Sequence, residues 1–176
     1  MRPDRQSGMS LIEVLVAIIV TAVGLLGFVG IQLAAAKYNK EASLRSVATV
    51  LALEIADRMR SNIAGVKAGD YDRNMGYAVA TNAVAPPTCG SISDCSASTL
   101  AQLDIANWQK ELAAALPGGA GAIIPGTTMF AKSIVVMWQD KSLMESASPI
   151  DPACSSAPNS NTPVSGIRCF NTMFIP

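Results

Sequence analysis

Histidine is absent from all 176 residues. That removes the commonest general base and the commonest metal ligand, and weakens the case for an enzyme. The 13 basic and 13 acidic side chains cancel to a formal net charge of zero, so the basic footprint of a nucleic-acid binder is missing as well. There is no phosphate-binding loop, no dinucleotide glycine fingerprint, no GxSxG turn and no metal-ligand cluster, and the carboxylates are scattered. No catalytic residue, metal site or cofactor is therefore expected. Cysteine does not occur before Cys89. Behind a membrane-crossing segment the four cysteines read as two disulfides formed in an oxidising compartment, and CxxC zinc spacing is lacking. Charge is missing altogether between Glu13 and Lys37.

In that charge-free run, residues 14–36, only Thr21 and Gln32 are strongly polar. As a helix it would be about 35 Å long at about 1.5 Å per residue, against about 30 Å for the core of a bilayer. Arg2 and Arg5 precede it, which by the positive-inside rule puts the N-terminus in the cytoplasm and everything after Lys37 outside. Three readings compete. One is a plain anchor. Another is a secretory signal peptide, for which "LAAAK" offers an Ala34-x-Ala36 cleavage site. The third turns on Glu13. A carboxylate costs about 2.5–3.5 kcal/mol at mid-bilayer, less near the interface, and neither of the first two readings needs it. A cut between Gly8 and Met9 would leave a free α-amine one helical turn ahead of Glu13, and an amine offsets the cost.

The stretch "GMSLIEVLVAIIV" resembles the leader region of type IV prepilins: a short basic leader, a glycine, a cleavage point, then an apolar helix with glutamate at its fifth position. The resemblance implies that a prepilin peptidase cuts after Gly8 and N-methylates Met9. It also implies that Glu13 pairs with the N-terminal amine of a neighbouring subunit in a filament. Met9 stands where many such proteins have phenylalanine. Major pilins often carry a proline near Gly30, whereas this chain has Gly24, Gly27 and Gly30. Two readings of these glycines stay open: close helix packing through small residues, or a softened spine.

Beyond Ala36 the helical pattern continues. Leu44, Val47, Leu51, Ile55 and Met59 fall on one face, bordered by Ala48 and Ala52, and Lys37/Glu41 and Glu54/Arg58 are spaced as i,i+4 pairs. One helix from about residue 9 to 63 is expected, stopped near Gly65. Its last turn, "ADRMRSN", reads either as a solvated polar end or as part of a family signature. "LALEIADRMRSN" after this leader is similar to the pilus-modification class of minor pilins. That resemblance implies other minor pilins and the major pilin as partners, with the inner membrane as the site before assembly and the cell-surface pilus after it. Pseudopilins of type II secretion share the leader and spine and are the near alternative. A third reading is a surface adhesin or DNA receptor using the 141–165 loop, with Arg58, Arg60 and Lys67 as a small basic patch; the neutral net charge argues against strong nucleic-acid binding.

Residues 66–97 read as a long connection. A helix follows, capped by Ser96 or Ser98, with Leu100, Leu103, Trp108, Leu112 and Leu116 as its stripe and Ile105 off it; Pro117-Gly118-Gly119 ends it. "AGAII", "MFAKSIVVMWQD" and "IRCFNTMFI" read as strands, the first two joined at "PGTT" and the last following a polar loop. Three cysteine connectivities are formally possible. Local pairing, Cys89 with Cys95 and Cys154 with Cys169, is expected. The expected fold is α+β and pilin-like: leader 1–8, membrane or filament-core helix 9–36, amphipathic helix 37–63, and a disulfide-containing head 64–176, in which a small antiparallel sheet and an extra helix pack on the spine.

Overall fold

The structure is a computed structural model that describes residues 10–81, 84–88, 95–126, 130–145, 150–156 and 165–176. The chain divides into two compact units, Met1–Ser43 and Leu44–Pro176. Helix α1, Leu11–Ser61, runs unbroken for 51 residues, with no proline to remove a backbone donor.

In the second unit the C-terminal part of α1 buries Ala48, Leu51, Ala52, Ile55, Ala56 and Met59. The alanines let other elements close on the helix, while Leu51, Ile55 and Met59 fill the space. The helix ends at Asn62, not at Gly65. Asn62 leaves helical geometry (φ −126°, ψ 57°) and its side-chain oxygen accepts from Gly65 N, starting a second short helix, α2 (Ile63–Ala68). The stop comes at Gly69, whose φ of +82° is the left-handed conformation that favours glycine, and whose N–H caps Gly65 O and Val66 O. The expected long connection is therefore partly ordered: after α2 comes a one-turn helix, α3 (Tyr77–Ala80), and an isolated antiparallel bridge joins Arg73 to Ile123.

Helix α4 (Ala97–Ala115) is capped by Ser96, whose oxygen accepts from Thr99 N at 3.1 Å. Its buried face is Ala101, Ile105, Trp108 and Leu112, spaced 4-3-4. Ile105 thus lies on the stripe, whereas Leu100 and Leu103 are only half-buried. Reading large side chains alone misplaced the stripe by a fraction of a turn, because Ala101 rather than Leu100 faces the core. Trp108 is fully buried and donates its indole N–H to Leu51 O at 2.9 Å, tying α4 to α1. On its other side the indole reaches the sheet: a Cβ at Gly121 would stand 2.3 Å from the ring, so only glycine fits there.

Strands β1 (Ala120–Pro125), β2 (Lys132–Gln139) and β3 (Ile167–Phe174) form an antiparallel sheet in the order β1-β2-β3. Ile123 pairs with Ile134 and Val136 with Phe170; these side chains join Trp138 and Phe174 in the core shared with α1 and α4. The opposite face is covered too. Ala120, Ala122, Val135, Met137, Ile167 and Cys169 form a second apolar layer beneath Ala80 and Ala153. Residues 134–138 are consequently all buried, and alternation of burial is lost. The 141–165 stretch is not a plain surface loop: a one-turn helix, α5 (Lys141–Met144), buries Leu143, a 3₁₀ turn spans Pro152–Ser156, and Asp151 is buried with its carboxylate accepting from Ala153 N and Cys169 N. Cys154 and Cys169 are joined by a disulfide across this turn. Cys95 is disulfide-bonded; Cys89 lies outside the described residues.

The end of α1 supplies the polar joint of this unit. Asn62, only 6% exposed, donates to Ala97 O at 2.7 Å and to Tyr71 Oη at 3.3 Å. Tyr71 in turn donates to Asp104 Oδ2 at 2.5 Å. Asn62→Leu keeps the volume but strands Ala97 O and Gly65 N. We expect it to lower the unfolding free energy of the detergent-solubilised protein by about 2–4 kcal/mol, with an unchanged urea slope, read from the fluorescence of the buried Trp108 and Trp138. A change under about 0.5 kcal/mol would show that Asn62 is not the joint.

Candidate processing and assembly segment

Gly8 and Met9, the expected cleavage and methylation positions, lie outside the described residues. From Ser10 onward the geometry is defined. Ser10 O accepts from Glu13 N at 3.0 Å and from Val14 N at 3.3 Å, so the helix starts at once and Glu13 stands in its first turn. A carboxylate there is favoured by the helix dipole and sits at the one end where amide N–H groups are unsatisfied. From Ser10 to residue 40 every side chain is exposed within the chain, including Leu11 at 79%, Leu26 at 73% and Ile31 at 70%. Thr21 is no polar liability, because its hydroxyl donates back to Ala17 O and Ile18 O at 2.8 and 3.0 Å. Gly24, Gly27 and Gly30 open onto free space. The segment is long and apolar enough to cross a membrane by length and composition. Its chemistry is that of a surface to be covered by lipid or by other apolar helices, with one carboxylate at its start.

Several charged groups of the second unit hold it together. Arg58 meets Glu54 at 2.5 Å and Glu111 at 2.9 Å and also donates to Asp104 O. Burial would lower its pKa, but these two carboxylates outweigh that and hold it above the ordinary arginine value. Arg60 pairs with Asp57 and lies over the Phe174 ring, and Lys67 lies over Phe130. The three expected members of a basic patch are thus engaged, two with carboxylates and two with rings. Burial pushes the Tyr71 hydroxyl up, and its hydrogen bond to Asp104 adds to the shift, so it stays protonated at neutral pH. Among the described residues there is no cluster of His, Cys, Asp or Glu able to hold a metal ion. The roles of Asn62, Tyr71 and Asp104 were not read from the sequence: 33 residues separate the tyrosine from its carboxylate, and only the fold brings them together.

Two family models match the N-terminal part of this architecture. Residues 3–29 match the prokaryotic N-terminal methylation motif, and residues 30–106 match Type IV pilin Tt1218. No curated protein and no solved structure matches the chain. With the long apolar N-terminal helix and the small antiparallel sheet, these matches make the chain a type IV pilin of α+β, pilin-like fold. The methylation motif implies processing by a prepilin peptidase and incorporation into a pilus, and the apolar helix fits a membrane-anchored pilin. Pilins in general are structural proteins rather than enzymes.

One ion pair gives this unit a readable acid response. Arg168 donates to Asp140 at 2.8 Å, and Ser142 N donates to the other oxygen at 2.9 Å. Burial by itself would raise the Asp140 pKa, but the bonds from Arg168 and Ser142 outweigh it and hold it below the ordinary carboxylate value. The unfolded chain therefore takes up the proton first, at about pH 4. The pair's contribution is complete above that pH and is lost as pH falls through the lower folded-state value. Urea midpoints of the wild type and Arg168→Met should differ by a constant amount between about pH 5 and 7 and converge below about pH 4. A gap that persists at low pH would assign the arginine's effect to packing instead.

Proposed function

We propose that the chain is a minor pilin of the PilV-like, pilus-modification type, which joins other minor pilins and the major pilin in a complex that primes pilus assembly and supports twitching motility and adhesion. The observation that carries this reading is the continuity of a methylation-motif N-terminus, a carboxylate in the first helical turn and an uncovered apolar helix. In this reading residues 1–8 are a leader, residues 9–36 cross the inner membrane and later form filament core, residues 37–63 complete the spine, and residues 64–176 form the head. Arg2 and Arg5 hold the N-terminus in the cytoplasm, so the head lies in the periplasm before assembly and on the cell-surface pilus afterwards. Prepilin peptidase cuts after Gly8 and methylates Met9. Glu13 then meets the methylated amine of a neighbouring subunit, and the pairing offsets the cost of taking a carboxylate into an apolar core.

The pseudopilin role would use the same leader and spine, and deletion of the gene separates the two: loss of surface pili for the pilin, loss of secreted enzymes for the pseudopilin. A DNA-receptor role finds little support, because Arg58, Arg60 and Lys67 are already engaged.

Processing is tested by N-terminal sequencing of the membrane-bound protein, which should read N-methyl-Met, Ser, Leu, Ile, Glu. A start at Lys37 would establish a signal peptide and overturn the proposal. Assembly is tested with Glu13→Gln. The variant should insert and be cleaved normally, since removing the charge makes the helix easier to hold in lipid. It should nevertheless accumulate in membranes and fall about tenfold or more in sheared filaments, because a buried pair that loses one partner forfeits about 3–5 kcal/mol. Wild-type levels in the sheared fraction would remove Glu13 from that role.

A further inference from the structure

Arg73 stands where the chain runs alongside the outer edge of β1. Its N–H donates to Ile123 O at 2.8 Å, and its carbonyl accepts from Ile123 N at 3.1 Å. The residue is only 8% exposed. Its Nε is sealed from solvent and has no acceptor among the described residues. The terminal guanidinium nitrogens form no hydrogen bond or ion pair among the described residues either, and they are not sealed. The other half-buried or buried cations of the same unit each meet a carboxylate: Arg58 meets Glu54 and Glu111, Lys132 meets Asp72, and Arg168 meets Asp140. Asp72, next to Arg73 in sequence, is taken by Lys132. Burial pulls the Arg73 pKa below the ordinary arginine value with nothing opposing it.

An unpaired guanidinium in this position destabilises the isolated subunit, and a hydrophobic side chain of the same length would serve the packing better. Its stem is fixed by burial, so its open end is a preset planar fork. That shape suits the two oxygens of a carboxylate. We propose that Arg73 receives a carboxylate presented by a neighbouring pilin subunit that docks against the β1 edge of the head. The proposal rests on the pilus-subunit role above. A carboxylate carried on a docking surface arrives with the rest of its interface, whereas a free anion gains this single contact.

Two measurements on the full-length protein test it. In the first, the detergent-solubilised wild type and Arg73→Met are unfolded thermally in sodium acetate and in sodium chloride of equal ionic strength. Acetate should raise the wild-type midpoint over chloride and leave Arg73→Met unmoved, and Arg73→Met in chloride should melt at or above the wild-type temperature. No acetate effect on the wild type, or an equal effect on both proteins, overturns the carboxylate site. A clear drop in the Arg73→Met midpoint overturns it as well, by showing that the guanidinium is already satisfied. In the second, Arg73→Met is quantified in sheared filaments and should fall about tenfold. Wild-type incorporation together with an acetate effect overturns the subunit as source and leaves a site for free anions. Absence of the wild type itself from filaments overturns the pilus role, while the acetate comparison still decides the anion site.

Discussion

The indole of Trp108 donates to Leu51 O in α1 at 2.9 Å while its ring fills the space that Gly121 leaves in β1. One side chain therefore fixes the distance from helix to helix and from helix to sheet. The other contacts of the head follow from that spacing. Asn62 can reach Ala97 O only when the start of α4 is held against the end of α1, and Tyr71 can reach Asp104 only from the turn that Asn62 initiates. The joint is polar but sealed, and sealed hydrogen bonds count for more than exposed ones because water cannot replace them. This explains why the polar last turn of α1 is not a solvated end: Arg58 and Asn62 are bonded inward, and Asp57 and Arg60 hold each other outside.

Helix α1 serves two kinds of surroundings with two patterns of side chains. Up to residue 40 its side chains are exposed whichever way they point, and nothing among the described residues covers them. From Ala48 onward a stripe of alanine alternating with large apolar residues is buried. The head needs no first half to complete its core, since that core is closed by Ile55, Met59, Trp108, Trp138 and Phe174 together. An apolar surface of this extent is unstable in water, so the exposed half calls for cover by lipid or by other apolar surfaces.

The sequence was most legible where one period dominates. The spine, the three strands and the α4 helix all follow from spacing, and the methylation-type leader is a contiguous string. Legibility failed where small residues decide. Ala101, Ala120 and Ala122 carry almost no hydrophobic signal, yet each marks a packed face, and the two-sided burial of the sheet could not be seen from β2 alone. It failed again where a polar residue acts at long range. Asn62, Tyr71 and Asp104 are unremarkable in their own neighbourhoods, and a bond between positions 33 apart leaves no local pattern. Gly65 was a sound stop signal in isolation, but Asn62 capped a new helix three residues earlier, and the left-handed position moved to Gly69.

The three glycines of the apolar half sharpen the contrast between membrane and filament. Gly24, Gly27 and Gly30 lie within an unbroken helix, at a cost of about 1 kcal/mol each relative to alanine. In lipid that cost cannot melt the helix, since each backbone group released from its bond would lie unsatisfied in hydrocarbon at several kcal/mol. The balance changes only where water or another subunit's polar groups can take up the freed amides. Proline would act differently: it breaks the bond in every environment, at about 3 kcal/mol. Glycine in place of proline therefore leaves a helix whole wherever nothing can take up its freed amides, whereas proline interrupts it there as well.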